Sequence, residues 1–457
     1  MSIEWVSYKI EEIAESMGDA PFGSNLKNSD YQDFGALVIQ GKNIQGRSCE
    51  WKDRRYVSLE KYIKLRKNQC FPGDLIFPKV GTIGKVGILT PAPGVEHYVL
   101  STNTMRLKVN ESLACRDFVY YFFTNPQTAD YILAINSNSV QPVFNYTSLK
   151  NFLIKLPPVY VQRKIGALLR SLDDRITLLR ETNATLEALA QSLFKSWFVD
   201  FDPVHTKAKE FEPEGMDAAT AAMFPDCFEE SELGVVPKGW KLVPFGELLI
   251  HTIGGDWGDE APSEKNDTRV AIIRGTDIPD LHSGSANRVP LRYTSSKKLA
   301  TRKLQDGDLV LEVSGGSRDQ PTGRSLYLTE ALLGQFDCPV EPASFCRLLR
   351  PSDKHIGLLL ARHLTYIYGI GKTWEYQNQS TGIANFQTTH FLESELVAVP
   401  PREVLAVFVD IVRSIVDRGH LSQISNLESL RDTLLPRLIS GQLPLPEGEV
   451  VVEDACA

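Results

Sequence analysis

Val38-Ile39-Gln40-Gly41-Lys42-Asn43-Ile44 reads against Ile272-Ile273-Arg274-Gly275-Thr276-Asp277-Ile278, 234 positions further along the chain. The same offset carries Pro72-Gly73-Asp74-Leu75-Ile76-Phe77 onto Asp306-Gly307-Asp308-Leu309-Val310-Leu311. Asn145-Tyr146 then meets Asn385-Phe386 and Pro157-Pro158 meets Pro400-Pro401. Arg170-Ser171-Leu172-Asp173-Asp174-Arg175 meets Arg413-Ser414-Ile415-Val416-Asp417-Arg418, and Leu186-Glu187-Ala188-Leu189 meets Leu427-Glu428-Ser429-Leu430. Six matches in one order, with offsets drifting only by small insertions, describe a duplicated unit. Each copy is a globular part followed by a helical part.

The helical parts are read from their period. Ile165, Leu172, Leu179, Leu186 and Leu193 recur every seven residues, with Leu168 and Leu189 at d-type positions between them, the template of a coiled coil. A helix over Val161–Trp197 is about 55 Å long at about 1.5 Å per residue. A second stripe, with Val404, Phe408, Ile411, Ile415, Ile424, Leu427, Leu434 and Leu438, predicts a helix from about Val404 to Ser440. It bends at Arg418-Gly419-His420 and stops at Gly441. The globular parts mix short strands (36–40, 74–78 and 85–89; 270–274, 309–313 and 325–328) with helices at 117–123 and 356–367. The fold class is therefore α+β: two mixed α/β parts in pseudo-twofold repeat, separated by two long helices that pair as an antiparallel coiled coil.

The chain has 457 residues, 42% hydrophobic and 23% charged, which excludes a wholly disordered or collagen-like polymer. Its seven scattered cysteines contain no Cys-x-x-Cys pair, which predicts reduced thiols in a cytoplasmic protein. Residues 1–14 are acidic and lack an apolar core, so no signal peptide is expected, and no apolar run is long enough for a membrane span. The eight histidines are dispersed, without metal-ligand spacing.

Three catalytic look-alikes fail on chemistry. Tyr366–Thr373 ends like a phosphate-binding loop, but Tyr366 replaces the first glycine. Leu156-Pro157-Pro158-Val159-Tyr160 resembles the Asn/Asp-Pro-Pro-Tyr/Phe signature of amino-methyltransferases without its amide or carboxylate. Asp308-x-x-x-Glu312 resembles a nuclease pair, yet Ser314 stands where a lysine is needed and Pro78 stands at Glu312's place in the first copy. Asp74 and Asp308 read instead as turn formers after Gly73 and Gly307.

The net charge of −8 argues at first against a nucleic-acid partner. Its distribution reverses that. Residues 1–155 carry +3, 156–200 carry +1, 201–234 carry −7, 235–398 carry −1 and 399–457 carry −4. Arg47, Lys52, Arg54, Arg55, Lys61, Lys64, Arg66 and Lys67 lie in one stretch interleaved with Trp51, Tyr56 and Tyr62. Arg288, Arg292, Lys297, Lys298, Arg302 and Lys303 occupy the corresponding place of the second copy, and Arg274 closes the strand before them. Cations at matched positions suit a phosphate backbone. Two amide-rich stretches, 136–141 with Asn138 and Gln141 and 377–382 with Gln379 and Ser380, suit base edges or ordinary turns equally.

These residues resemble the specificity subunit of type I restriction-modification systems, over nearly the full length. The most specific stretches are Leu156-Pro157-Pro158, Leu168–Ile176, Leu193–Val204, Glu232–Trp240 and Leu434–Gly441. The resemblance implies a target-recognition domain at 1–157, a central conserved helix at 158–200, an acidic linker at 201–236, a second target-recognition domain at 237–399, a distal conserved helix at 400–442 and a mobile acidic tail at 443–457. Each recognition domain would read one half of a split double-stranded DNA site. The helices would set the spacing and dock two modification subunits, with restriction subunits joining them. The chain itself would be non-catalytic, with S-adenosylmethionine, ATP and Mg on the partners, and without a membrane. The alternatives are a methyltransferase or nuclease with degenerate motifs, and a coiled-coil scaffold with no DNA role.

Overall fold

Apolar runs bounded by glycine turns build the strands of the computed structural model, which describes residues 4–135, 143–231, 234–317, 320–380 and 383–444. The chain divides into two compact units. One takes the residues up to Arg175 together with those from Glu428 onward, and the other is Ile176–Leu427.

In the first unit, Ala36–Ile39 is buried at all four positions, as an apolar strand covered on both faces must be. It runs between the antiparallel strand Tyr56–Val57 and the parallel strand Tyr98–Leu100. A second, antiparallel sheet sets Leu75–Pro78 between Gly87–Ile88 and Thr104–Val109, with Ala14–Gly18 at the edge. Gly73, at φ +95°, opens the turn into this sheet, and Asp74 closes it by accepting the Phe71 amide at 2.9 Å. Val6–Lys9 pairs with Leu153–Leu156, the strand that delivers the chain to Pro157-Pro158. The core joins Leu107, Phe118, Tyr121, Phe123 and Ile154 to Ile165 and Leu169 of the long helix and to Leu435 and Leu438 near the C-terminus.

The second unit repeats the central pairings of this plan, with three strands where the first unit's parallel-containing sheet has five. Thr268–Ile273 lies between antiparallel Leu291–Thr294 and parallel Val340–Pro342, and Leu309–Glu312 lies between Ser325–Tyr327 and Cys346–Pro351, with Leu249–Gly254 at the edge. The parallel register matches too. Leu37 faces Tyr98 in one unit, and Ala271, 234 positions after Leu37, faces Val340 in the other. Gly307 takes φ +94°, and Asp308 accepts the Gln305 amide at 2.7 Å. Lys241–Pro244 pairs with Leu396–Val399, the strand before Pro400-Pro401. An added three-stranded sheet of Ser314–Gly315, Ile383–Phe386 and Gln377–Ser380 belongs to this unit. The amide-rich stretch expected as a loop is thus a strand over Gln377–Ser380. Its first-copy counterpart, 136–141, lies outside the described residues.

The central helix spans Val159–Phe198, 40 residues. Its buried stripe departs from the expected one. Ile165 and Leu179 are buried, and Leu172, Leu186 and Leu193 are half-buried. The partner positions lie four residues after each of the first set, not three: Leu169, Ile176, Ala190 and Trp197 are buried, whereas Leu168 is only partly covered and Leu189 is 57% exposed. Four residues advance 400° around a helix and three only 300°, so a one-residue error turns the side chain by about 100°.

The distal segment is two helices, Arg402–Gly419 and Gln423–Ile439, rather than one bent helix. Its freed carbonyls are met by side chains: Gln335 donates to the His420 carbonyl at 2.6 Å and Asn183 to that of Gly419 at 3.5 Å. His420 is buried and bonded through Nδ1 to the Thr329 hydroxyl at 2.9 Å, and burial holds its imidazole neutral, with a pKa lowered to about 3. Val404, Phe408 and Ile424 are buried, Ile415, Leu427 and Leu434 are half-buried, and Ile411 turns outward while Val412 takes the inner place.

The stretch 201–236, expected as a linker, is folded. It holds short helices at Asp202–Lys207 and Ala218–Ala222 and a hairpin of Phe228–Ser231 with Gly234–Pro237. Val204, Phe224 and Val236 enter the same core as Trp197, Phe198 and Trp240. Its described acids are exposed and Val204, Phe224 and Val236 face in, while Phe211 and Val235 stay exposed, a pattern that a net charge hides. No helix among the described residues is long and apolar enough to cross a membrane.

Candidate nucleic-acid interface

The structure sorts the candidate cations by what already neutralises them. Arg47 is committed inside the first unit, donating to Asp117 at 3.3 Å and to Asp174 of the long helix at 3.0 Å. Lys61 pairs with Asp30 at 2.9 Å and Lys64 with Glu60 at 2.6 Å. Arg54 donates to the carbonyls of Trp51 and Pro93, and Arg55 lies over the Tyr31 ring at 5.6 Å. Lys52 is exposed, with Glu50 at 3.1 Å. Arg66 and Lys67 are exposed and have no carboxylate within ion-pair distance among the described residues. Asn138 and Gln141 lie outside the described residues.

In the second unit, Arg292 pairs with Glu260 at 2.8 Å and stacks over Trp257 at 4.5 Å. Arg288 reaches Asp280 at 3.2 Å and Lys298 reaches Asp256 at 2.9 Å. Arg302 donates to the Gly254 carbonyl at 3.0 Å. Lys297 and Lys303 are exposed, again without a carboxylate at ion-pair distance among the described residues. Gln379 and Ser380 sit in the strand Gln377–Ser380, on its pairing with Ile383–Phe386. Arg66, Lys67 and Lys303 follow, and Lys297 lies in, the helices Leu59–Lys64 and Ser296–Arg302, which come after the antiparallel strands Tyr56–Val57 and Leu291–Thr294 and are capped by Ser58 and Ser295.

The most elaborate feature is a cleft of about 700 Å³ in the second unit. Arg274 ends the central strand and is fixed by a two-pronged pair with Asp277, at 2.9 and 2.6 Å. Glu312 ends the strand Leu309–Glu312 of the other sheet, is buried, and is clamped by Arg324 through Nε at 2.8 Å and Nη2 at 2.5 Å. Two glycines make room for that carboxylate. A Cβ on Gly275 would stand 2.3 Å from Glu312 Oε1, and one on Gly315 would stand 2.7 Å away. Trp257 and the largely exposed Phe345 form aromatic walls. The Glu312 pair raises the Arg324 pKa, and the guanidinium is permanently cationic.

Sequence reading missed three residues of this cleft: Trp257, Arg324 and Phe345. Glu312 was set aside because it does not suit a metal pair, and indeed its partner is an arginine. The available signal was Gly315-Gly316, a pair that interrupts an apolar strand three residues after a carboxylate. Among the described residues no group of three or more His, Cys, Asp or Glu could hold a metal ion. The described cysteines are free thiols.

Residues 2–188 match the type I restriction modification DNA specificity domain. Over most of its length the chain is similar to specificity subunits of type I restriction systems. It is 25% identical over 425 residues to the type I restriction enzyme HindI specificity subunit of Haemophilus influenzae, covering 81% of this chain and 86% of that one. It is 24% identical over 452 residues to the MjaIX specificity subunit of Methanocaldococcus jannaschii, covering 97% and 94%. In fold it is similar to the crystal structure of the type I S subunit of M. genitalium, with TM-score 0.53, 14% identity and 98% and 97% coverage.

Proposed function

We propose that this chain is the DNA-reading subunit of a type I restriction-modification complex, each unit reading one half of a bipartite double-stranded site. The observation that carries this is one set of central strand pairings built twice in a single chain, with the same parallel register and the same Gly-Asp turn. Two like platforms on one chain suit two half-sites held at a set distance. The central helix, about 60 Å long at about 1.5 Å per residue, suits the role of spacer, since one turn of duplex is about 34–36 Å.

In this reading the long helices pair as an antiparallel coiled coil, relate the units by a pseudo-twofold axis and dock two modification subunits. Those subunits carry S-adenosylmethionine and the methyl transfer, and restriction subunits carry ATP, Mg and cleavage. This chain binds and orients DNA without turning over a substrate, in the cytoplasm. Free cations at Arg66, Lys67, Lys297 and Lys303 supply backbone contacts. The test is selection of bound duplexes from a random pool by the complex assembled with its modification subunits. Two short fixed blocks separated by unspecified bases are expected, and a single uninterrupted block overturns the reading.

A further inference from the structure

We propose that the second unit's cleft is a guanine-reading site, with Arg324 contacting the base and Phe345 packing against the neighbouring one. The proposal rests on the DNA-reading function above and adds the residue and the base.

Two guanidinium groups, Arg274 and Arg324, are each pinned by a carboxylate along one edge. Neither Nη1 has a protein partner among the described residues, but Arg274 Nη2 also donates to the Arg288 carbonyl at 3.0 Å, so it is the outer edge of Arg324 that is left open to donate. The acids cannot serve as acceptors for a ligand, because Asp277 and Glu312 are buried behind the arginines that hold them. The site is therefore donor-rich and selects a ligand that presents acceptors. In the major groove, guanine alone among the bases offers two adjacent acceptors, O6 and N7, matched to an arginine fork. A phosphate offers acceptors too, but it gains nothing from an aromatic wall. Phe345 is 66% exposed at the lip, and Trp257 is already braced by Arg292 on one face. Rigidity is the second mark. An arginine tied to a buried carboxylate loses little rotamer freedom on binding, so the contact discriminates rather than merely attracts. The glycines at 275 and 315 keep side chains off the floor of the cleft. The corresponding strand end of the first unit holds Pro78 and has no such carboxylate to pin an arginine.

The experiment uses the complex assembled with its modification subunits and its selected duplex. Each guanine is replaced in turn by 7-deazaguanine, which lacks the N7 acceptor. One position is expected to cost roughly tenfold in affinity, as loss of an arginine–guanine fork does. Arg324→Lys, which keeps the charge on Glu312, is expected to erase that sensitivity while other positions still discriminate. Phe345→Ala, at an exposed site, is expected to weaken the target severalfold and leave random duplex unchanged. The proposal is overturned if no guanine is sensitive, if Arg324→Lys leaves the sensitivity intact, or if it weakens every duplex equally, the mark of a phosphate contact. It is equally overturned if Phe345→Ala changes nothing. Loss of discrimination at both half-sites in the wild-type complex would instead refute the DNA-reading function itself.

Discussion

The two units place the same strands at the same register and then end them differently. Leu75–Pro78 closes on a proline, and Leu309–Glu312 closes on a buried acid with an arginine across it. Beneath both ends the turn is shared: a glycine near φ +95°, an aspartate that accepts a backbone amide, and an arginine from the adjoining strand on that aspartate, Arg106 at 3.5 Å and Arg350 at 2.8 Å. The contrast separates two kinds of residue. Turn aspartates and apolar strand interiors hold the frame, and the strand ends are free to carry different chemistry.

The largest expected effect breaks the comparison at Glu312. Arg324→Ala strands a buried carboxylate, a loss of about 3–5 kcal/mol. Hydrogen exchange should lose about two to four orders of magnitude of protection across Leu309–Glu312, and none across Leu75–Phe77.

Next comes pH. Glu341 is fully buried without a hydrogen-bond partner for either oxygen, and burial, followed by the nearby Asp256, raises its pKa to about 7. The parallel register puts Val99 at its place in the first unit. A folded-state pKa above the unfolded one means the folded state holds the proton longer. Glu341 therefore withdraws stability as pH rises from about 4.5 to about 7, and its effect is constant above that. Glu341→Val should flatten this slope and raise second-unit stability at pH 8 by roughly 1–3 kcal/mol, read from denaturation midpoints at several pH values.

Gly275→Ala and Gly41→Ala sharpen the contrast further. The first drives a methyl to 2.3 Å from Glu312 and should cost about 1–3 kcal/mol, while the second meets nothing closer than Pro78 at 3.5 Å and should cost under about 0.5. The smallest stability effect belongs to the surface. Replacing Arg66 and Lys67, or Lys297 and Lys303, with Ala should change stability by less than about 0.5 kcal/mol and lower the salt dependence of DNA binding by about two ions. Lys64→Ala, whose charge Glu60 already neutralises, should lower it less.

Much of the frame was legible from the chain itself, because repeated Gly-Asp turns and apolar runs act locally. The strand pairs at 36–39 and 268–273 and the helix after Pro157-Pro158 fall where the residues put them. Three features were not legible, each for a nonlocal reason. The helix seam was read one residue off because Leu168 and Leu169 are equally apolar, and only packing chooses between them. The basic stretch around Arg47 looked like one footprint, yet Asp117, 70 residues away, claims Arg47. The acidic segment 201–236 was read as a linker because Val204, Phe224 and Val236 are few, although the aromatic core around Trp197 is enough to fold it.

The central claim is that one chain reads DNA at two separated places. Footprinting of the assembled complex on its selected duplex tests this most directly. Two blocks of protected base edges with a gap of exposed bases between them are expected, with Arg324→Lys altering only one block. A single continuous block, or two blocks that both change with Arg324→Lys, would contradict it.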